Sequence, residues 1–447
     1  MGNATVATVN GAGLPQLDIN RCVPPTAPLL LATSEKLAPV EARNGATVYA
    51  QRAKVIGAGQ YATVCMGTIE FPAIPGSTQS PRREACAIKI PHADNLDARE
   101  LGLIEAAALW QAGSAPQTVG CYGLINLQDA DDSKSGCEVS LWPAVASRAI
   151  AGDGEWGLVL EYCERGSCWS YMTEYRMSMD AELFCAWARQ LAMALVALKA
   201  AGMAHMDIKG HNMLLSCDGR IRLADFTAAS FSSQALEAMN LACSEFEPMS
   251  YPPYTDFSGT IPYSAPEALA SGVPGKLHTN DELHKMDIYS LGVALYSMFV
   301  SGREPYAAVK SAVEQMLLAS KGAFWEWEER HYLATLQSAA ETAPSTPVDV
   351  RPTAGYTDVR TPPSPSQHSH PLSRSLSLGP KPLTRRRTLK SRKAAPREFR
   401  RFLSGDLLPV KVEVLLRDMV NPDPLQRPDA AEILRILDNI EADIFEP

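Results

Sequence analysis

The chain has 447 residues, of which 46% are hydrophobic and 20% charged, and its formal net charge is −9. This length and composition are typical of one large or two ordinary domains with a buried core and a soluble surface. The ten cysteines lie between Cys22 and Cys243 without paired CxxC clusters, and apolar runs such as residues 291–300 are too short to cross a bilayer. We therefore expect thiols in a reducing compartment, no zinc site and no membrane contact.

The first predicted strands follow a leader, residues 1–47, which has few periodic apolar positions and is expected to be flexible. Residues 55–64 read Val-Ile-Gly-Ala-Gly-Gln-Tyr-Ala-Thr-Val, which places Gly57 and Gly59 in a turn between strands. Glycines at such a turn let the backbone approach phosphate groups and present its amide groups to them. Taken alone, the Gly-x-Gly pair also fits an ordinary strand turn.

Lys89 lies in an apolar, strand-like run that is followed by a helix-like run over residues 96–111. A lysine buried in a cleft needs a carboxylate partner, because an unpaired buried cation is costly. Both Glu100 and Glu105 lie on the helix-like run. We expect Glu105 to be the partner, since Leu109 then shares its face of the helix, and Glu100 stays the alternative.

A third apolar run begins at Leu158 and ends in a turn at Gly166. It predicts a strand followed by extended backbone over residues 161–163. The same pattern is also that of a buried core strand that ends in a glycine turn.

The richest polar pattern lies around residues 207–225. Asp207 and Asn212 are five residues apart, and Asp225 follows Asp207 by 18 residues. Apolar-rich runs on either side of Asp218-Gly219 predict a hairpin, because Asp-Gly is a strong hairpin signal. The hairpin would bring Asn212 and Asp225 to one end of a small sheet. Two carboxylates, an amide and a nearby lysine, Lys209, are the groups that phosphoryl transfer to a hydroxyl requires.

Residues 205–215 and 223–227 resemble the catalytic loop and the metal-binding turn of eukaryotic protein kinases, and Lys209 with Gly259-Thr260 is similar to the serine/threonine type. In the first half of the chain, residues 55–64 resemble the glycine-rich loop, residues 85–90 the lysine strand and residues 158–167 the hinge. Further on, residues 259–267 resemble the end of the activation segment, residues 287–292 the central helix of the large lobe and residues 421–428 the late arginine motif. The resemblance covers about residues 48–337 and 402–444. It implies a buried ion pair between Glu267 and Arg427.

The fold that this resemblance implies is α+β and bilobal, with a small β-rich N-lobe and a mainly helical C-lobe. The kinase domain would span residues 48–340, with the N-lobe at about residues 48–160, the hinge at 161–167 and the C-lobe from residue 168. Residues 402–447 would supply the final helices of the C-lobe.

The resemblance also implies ATP and Mg²⁺ as cofactors and in-line transfer to serine or threonine hydroxyls of protein substrates. Asp207 would orient the hydroxyl and Lys209 would stabilise the transferring phosphate. Asn212 and Asp225 would hold magnesium. The resemblance further implies that Lys89, paired with Glu105, contacts the α- and β-phosphates, and that Gly57 and Gly59 lie over the phosphates. The backbone of Glu161 and Cys163 would contact the adenine edge. The side chains of Val64, Ala87 and Leu214 would pack against the base.

Two residues depart from the kinase pattern. Met206 replaces an arginine that binds an activation-segment phosphate in many kinases, so we expect activity that does not depend on this phosphate relay. Thr227 replaces the glycine after Asp225-Phe226, and a β-branched residue is expected to resist positive φ and stiffen the turn. The alternative function is a catalytically weak pseudokinase that acts as a signalling scaffold through its basic insertion.

That insertion is predicted over residues 341–401, which are basic, rich in Pro, Ser, Thr and Arg, and expected to be disordered. Residues 374–401 hold 11 Lys or Arg and one acid, a net +10, which leaves −19 for the rest of the chain. We expect this stretch to be a linker or to bind an acidic docking partner or an import receptor, tunable by phosphorylation, whereas nucleic acid is an unfavoured partner. The expected location is cytoplasmic or nuclear.

Overall fold

The chain divides into two units, residues 1–330 with 399–447 and residues 331–398. The computed structural model describes these residues: 45–73, 81–113, 115, 117–127, 136–140, 154–175, 179–235, 259–270, 278–342 and 400–445. Of the second unit it therefore describes only residues 331–342, which end a helix. The predicted leader up to residue 44 and the predicted insertion from residue 343 to 399 lie outside the described residues.

The first unit begins with a six-stranded antiparallel sheet in the order β4-β6-β3-β2-β1-β5. Its strands are β1 Thr47–Ala58, β2 Ala62–Phe71, β3 Arg82–Pro91, β4 Cys121–Asn126, β5 Cys137–Glu138 and β6 Trp156–Glu161. Side chains alternate between the two faces of a strand. In β3, Cys86 and Ile88 belong to one apolar cluster, while Ala87 belongs to the other, which continues into the helices. This alternation puts Ala87 and Lys89 on the same face of the sheet.

Helix α1, Leu96–Ala112, follows β3. It begins where the Asn95 side chain accepts a hydrogen bond from the Ala98 amide, and it ends at Gly113 with φ of 59°. Pro91 and the Trp156 ring leave no space for a Cβ atom at Gly102, so α1 lies close to the sheet at this position. Glu105 lies on the buried side of α1 and contacts Lys89 of β3.

The rest of the first unit is mainly helical. Its helices are α2 Cys168–Tyr175, α3 Ala181–Ala200, α4 Pro266–Ala270, α5 Asn280–Tyr296, α6 Ala312–Ser320, α7 Phe324–Thr342, α8 Val410–Met419 and α9 Ala430–Phe445, of which α7 continues into the second unit. Among the described residues, α3 alone is long and apolar enough to cross a bilayer, and 56% of its apolar stretch is buried inside the protein. The buried face of α3, from Phe184 to Leu198, packs in the main core, as in a central helix of a globular protein.

Short strands connect the sheet-rich and helical parts. β8, Met213–Leu215, pairs with β9, Ile221–Leu223, as the predicted hairpin. β7, Met203–Ala204, pairs with β10, Ser230–Phe231. A parallel bridge from Thr118 to Leu223 joins β9 to the segment after α1. Asn212, just before β8, and Asp225, just after β9, therefore flank the same hairpin.

The predicted ion pair between Glu267 and Arg427 is present. Arg427 is fully buried, and its guanidinium donates two hydrogen bonds to the Glu267 carboxylate at 2.5 and 2.9 Å. The guanidinium also lies 4.9 Å from the centre of the Tyr289 ring. Because two residues 160 positions apart are joined in this way, the segment after residue 400 completes the helical core.

Candidate active site

A cavity of about 610 Å³ lies between the six-stranded sheet and the helical part, a size that suits a nucleotide-sized ligand. Its lining includes the predicted nucleotide and metal residues Gly57, Gly59, Val64, Ala87, Lys89, Glu105, Glu161, Cys163, Asn212, Leu214 and Asp225. The predicted catalytic residues Asp207 and Lys209 are not part of the lining. They lie next to it, because the Asn212 side chain donates to the Asp207 carboxylate at 2.9 Å.

The turn between β1 and β2 covers one side of this cavity. Neither Gly57 nor Gly59 has a positive φ, and a Cβ atom at Gly57 would only touch Val64 at 3.6 Å, an ordinary contact. The Gly59 amide donates to the Ala62 carbonyl at 2.9 Å. The protein's own packing thus does not require glycine at these two positions. Space for a ligand against the backbone is the remaining physical reason for them.

Lys89 joins the sheet to α1 and to the turn at Asp225. Its Nζ lies 2.6 Å from Glu105 Oε2 and 2.8 Å from Asp225 Oδ1. Burial alone would lower the pKa of Lys89, but the two carboxylates outweigh it and raise the pKa. For Asp225, burial alone would raise the pKa, whereas Lys89 and the Thr227 hydroxyl lower it to about 2. A fixed ammonium beside an ionised carboxylate is therefore present at neutral pH.

Three donors from three places in the sequence fix the Asp207 carboxylate. Oδ1 accepts from the Thr260 amide at 2.9 Å, and Oδ2 accepts from Lys209 Nζ at 2.7 Å and from Asn212 Nδ2 at 2.9 Å. Lys209 also donates to the Thr260 hydroxyl at 2.8 Å. A carboxylate offers about four acceptor positions, so one stays open for a further donor such as an alcohol hydroxyl.

A buried aspartate and histidine support the backbone that carries Asp207. Asp287, on α5, accepts from the His205 amide at 2.7 Å and the Met206 amide at 2.9 Å. His205 Nδ1 accepts from the Asp207 amide at 3.2 Å, and its Nε2 lies 3.0 Å from the Ala224 carbonyl, which it can reach only as a donor. Burial lowers the pKa of His205, so the neutral form with a proton on Nε2 fits both contacts. The histidine thereby links the segment of Asp207 to that of Asp225.

Glu161 has two roles in the structure, at the cavity and in an ion pair, and the sequence indicated only the first. Glu161 lines the cavity, and its carboxylate accepts from Arg222 Nε at 3.0 and 3.2 Å and from the Gly120 amide at 3.1 Å. Arg222 Nη1 also donates to Gln117 Oε1 at 3.2 Å. We call Glu161, Arg222 and Gln117 the hinge clamp. It joins the end of β6 to β9, three residues before Asp225, and no local pattern indicated it.

The two departures from the kinase pattern occupy defined positions. Met206 has φ of 65° and brings no charge to the site. Residues 236–258 of the activation segment lie outside the described residues, so the expected independence from a phosphate relay stays a prediction. The prediction that Thr227 resists a positive φ at this turn is wrong, because Thr227 itself has no positive φ. The positive φ of 65° belongs to Asp225, whereas Thr227 lies in a 3₁₀ turn and its hydroxyl donates to Asp225 Oδ1 at 2.9 Å.

The donor set fits a nucleotide with a hard divalent cation. Asn212 uses its amide nitrogen on Asp207, which leaves the amide oxygen as a ligand atom. Asp225 Oδ1 accepts from Lys89 and Thr227, and among the described residues Oδ2 has no donor. The Asp225 side chain is 39% exposed, so a cation can reach it. Carboxylate and amide oxygens are ligands that Mg²⁺ takes in proteins.

Comparison with known proteins agrees with this geometry. The family described as "Protein kinase domain" matches residues 146–436, more than half of the chain. This match includes Asp207, Asn212 and Asp225, whereas Gly57 and Lys89 precede it. The assignment of those two residues therefore depends on the cavity and on the contacts described above.

Three relatives illustrate the similarity. The chain is 30% identical over 152 residues to Serine/threonine-protein kinase ppk11 of Schizosaccharomyces pombe, which covers 34% of this chain and 41% of the relative. It is 30% identical over 160 residues to Serine/threonine-protein kinase PAK mbt of Drosophila melanogaster, 36% of this chain and 21% of the relative. Mitogen-activated protein kinase kinase kinase dlk-1 of Caenorhabditis elegans is 27% identical over 152 residues, 34% of this chain and 14% of the relative.

The chain thus spans less than half the length of each of these curated relatives. The match to the family domain, which includes the hairpin and the residues around Asp207, is the finding that decides the assignment. This chain belongs to the protein kinase family, and two of these three relatives are named as serine/threonine-protein kinases.

Proposed function

We propose that this protein is an active serine/threonine protein kinase with a bilobal fold. The N-lobe would be residues 48–160, the hinge 161–167 and the C-lobe residues 168–340 with 402–447. One observation carries the proposal: Lys89, Asn212 and Asp225 line a nucleotide-sized cavity together with Gly57 and Gly59, and Asp207 lies next to the lining through its contact with Asn212. A catalytically weak scaffold would not need this complete set of groups.

The proposed division of labour follows from the contacts. Asp207 is held by Thr260, Lys209 and Asn212, and its open acceptor position would receive the substrate hydroxyl and orient it. Lys209 holds a positive charge next to that position, where charge develops during transfer. When bound, MgATP supplies the transferable phosphoryl group. Asn212 and Asp225 would hold the metal, and Lys89, fixed by Glu105, would bind the α- and β-phosphates.

The remaining nucleotide contacts are proposed on the basis of the cavity lining. Gly57 and Gly59 would bring amide groups close to the phosphates, since no side chain intervenes. The backbone of Glu161 and Cys163 would hydrogen-bond the adenine edge. The apolar side chains of Val64, Ala87 and Leu214 would contact the base, and all three line the cavity.

Transfer of labelled phosphate from ATP to a serine-containing protein by the purified full chain tests this proposal. Asp207→Asn keeps the size and some of the hydrogen bonding of the side chain but removes its charge. We expect a loss of about 10³-fold in kcat, within the range for groups that handle the transferred proton. The matched control is Asp281→Asn, because the Asp281 side chain is 80% exposed at the start of α5.

Nucleotide binding separates the two candidate functions. An active kinase binds ATP in the presence of Mg²⁺ and transfers phosphate, and Asp207→Asn loses only the transfer. If the wild-type chain binds MgATP without measurable transfer to any serine, threonine or protein acceptor, the scaffold alternative replaces this proposal.

We also propose a cytoplasmic or nuclear location and a docking role for residues 374–401. Support for a reducing compartment comes from Cys65, Cys86, Cys163, Cys168 and Cys185, which are free thiols. The net charge of +10 in residues 374–401 supports an acidic partner or an import receptor. Imaging and partner capture with the full chain, with and without residues 341–400, test both proposals.

A further inference from the structure

A group of half-exposed side chains lies beside Asp207 and has no part in the mechanism above. It consists of Trp169 on α2, His211 in the 3₁₀ turn after Lys209, and Glu304 after α5. We call these three side chains the Glu304 subsite. Its side chains come from three separate elements, and the exposed fractions of His211 and Glu304 are 46% and 43%. A ligand can therefore reach them.

Contacts fix the shape of the Glu304 subsite. The His211 ring stacks on the Trp169 ring, with centroids 5.2 Å apart and planes at 26°. His211 Nδ1 lies 3.6 Å from Glu304 Oε1, and the Tyr263 hydroxyl donates to Glu304 Oε2 at 2.6 Å. The backbone of Gly210 lies so close to Trp169 that an added Cβ atom would be 3.2 Å from the indole ring. The carboxylate and the aromatic face are therefore held in position before any ligand binds.

Glu304 supplies the carboxylate of the Glu304 subsite, and neither Trp169 nor His211 is a lysine or arginine that would already form a salt bridge with it. Its contacts are with the Tyr263 hydroxyl and the His211 ring. Burial, together with the hydrogen bond to Glu304, raises the pKa of Tyr263, so its hydroxyl stays a neutral donor.

The Glu304 subsite is next to the position where an acceptor hydroxyl must sit. His211 follows Asp207 by four residues, and Tyr263 follows Thr260, whose amide donates to Asp207, by three. Both His211 and Tyr263 lie within electrostatic range of Asp207. A polypeptide that presents a hydroxyl to Asp207 passes over or beside these side chains.

We propose that the Glu304 subsite receives a basic side chain, arginine above lysine, from the protein substrate within a few residues of the phosphorylated serine or threonine. An arginine suits it because a planar guanidinium can stack on an aromatic ring and donate to a carboxylate at once. A lysine supplies only a point charge. The inference rests on the proposed kinase function and names the substrate class of that same site.

Position 211 itself brings no carboxylate, because it is a histidine in this chain. The structure brings a carboxylate to the same place from Glu304, whose side chain contacts the His211 ring. Glu304 is therefore the specificity-determining residue of the Glu304 subsite, and Trp169 and His211 are its walls.

The test compares matched serine peptides that differ only by arginine or alanine at each of the four positions on either side of the serine. With the wild-type chain we expect kcat/KM to be at least about tenfold higher for arginine at one or two positions, since a charge-assisted pair at a half-exposed site is worth about that factor. Glu304→Gln keeps an acceptor for the Tyr263 hydroxyl but removes the charge, so the ratio should fall toward one.

Two further variants make the result specific. Glu304→Lys should reverse the preference, so that glutamate at the same peptide position gives higher kcat/KM than arginine. Glu182→Gln removes an exposed carboxylate at the start of α3, outside the Glu304 subsite, and should leave the arginine-to-alanine ratio of the wild type. A ratio that is unchanged in Glu304→Gln, or that changes equally in Glu182→Gln, overturns the inference.

Binding distinguishes failure of this inference from failure of the proposed function. Fluorescence anisotropy of a labelled arginine-containing peptide with Asp207→Asn, in the presence of MgATP, needs no turnover. We expect binding that is about tenfold weaker when Glu304→Gln is added. If no chain transfers phosphate but this difference in binding persists, the kinase proposal fails and the Glu304 subsite stands. If transfer occurs but neither kcat/KM nor binding distinguishes arginine from alanine, only the subsite fails.

Discussion

The two sides of the cavity differ in how the protein holds them. On one side, the Asp207 carboxylate accepts three hydrogen bonds, and its backbone is supported through His205 and Asp287. On the other side, the turn of Gly57 and Gly59 is mostly exposed, and its contacts are with the backbone of β2: Gly57 pairs with Val64, and the Gly59 amide donates to the Ala62 carbonyl. The groups proposed to keep one geometry during transfer are thus fixed in advance, whereas the turn proposed to admit the nucleotide is mostly exposed.

Substitution of Lys89 tests this difference most strongly. Lys89 lies on the sheet, but its contacts with Glu105 and Asp225 hold it in one position, like the groups around Asp207. Lys89→Met removes the charge that holds Glu105 and Asp225 together, and we expect phosphate transfer to fall by about 10²- to 10³-fold. The measurement is steady-state kinetics on protein shown to be folded by circular dichroism. Lys310→Met, at an exposed lysine, is the matched control and should retain full activity.

The Lys89 result would contradict the assignment if Lys89→Met transferred phosphate at a rate within threefold of the control. The lysine would then be only a structural partner of Glu105.

The hinge clamp gives the next largest effect, this time on stability. The Glu161 and Arg222 side chains are 15% and 9% exposed, so removal of one partner leaves a nearly buried charge unpaired. We expect Arg222→Met to lower the free energy of unfolding by about 3 kcal/mol. Adding Glu161→Leu should recover much of that loss. Chemical denaturation of the wild type, both single variants and the double variant measures the coupling.

If the losses from Arg222→Met and Glu161→Leu were simply additive, the two residues would not act as a clamp. The end of β6 and β9 would then be stabilised mainly by their backbone hydrogen bonds.

Two glycine variants compare the loose side with the sheet behind it. At Gly57 an added Cβ atom has room inside the protein, so Gly57→Ala should leave the thermal midpoint unchanged and raise KM for ATP about three- to tenfold. At Gly67, on β2, the Cβ atom would lie 2.6 Å from Ile88 Cδ1, so Gly67→Ala should lower the thermal midpoint. Equal stability losses in the two variants would show that the Gly57 turn is as tightly packed as the sheet.

The smallest expected effect concerns acid stability. Burial would raise the pKa of Asp225, but Lys89 and Thr227 lower it to about 2, below the value of an unfolded aspartate near 3.8. The ionised carboxylate therefore stabilises the fold above about pH 4, and this contribution is lost as the pH falls toward 2. Its side chain is 39% exposed, so solvent screens the effect. In magnesium-free buffer, Asp225→Asn should flatten the acid limb of the unfolding curve, and a superimposable limb would contradict this assignment.

Local sequence patterns predicted the parts of the site that depend on local geometry. The hairpin of β8 and β9 follows from Asp218-Gly219 between apolar runs, and it places Asn212 and Asp225 at the cavity. The contact of Lys89 with Glu105 rather than Glu100 follows from the face of α1 that is buried. In both cases the signal, turn residues for the hairpin and helical periodicity for α1, lies within a segment of about 20 residues.

Contacts between distant segments could not be predicted in this way. Arg222 is 61 residues from Glu161, and Thr260 is 53 residues from Asp207. Neither pair has a periodicity or a turn signal, because the tertiary packing alone brings these residues together. The turn at Asp225 shows a second kind of failure, since the positive φ belongs to the residue two positions before the one that the sequence indicated.

The order of the helices along the chain has a consequence during protein synthesis. Helix α3 is apolar enough to resemble a membrane span, and α9, one of the helices that pack against it, begins only at residue 430. At about 5–20 residues per second, the ribosome needs roughly 10–50 s to complete the intervening chain. During that interval the nascent polypeptide exposes the apolar surface of α3, so we expect chaperones to bind it until α9 emerges.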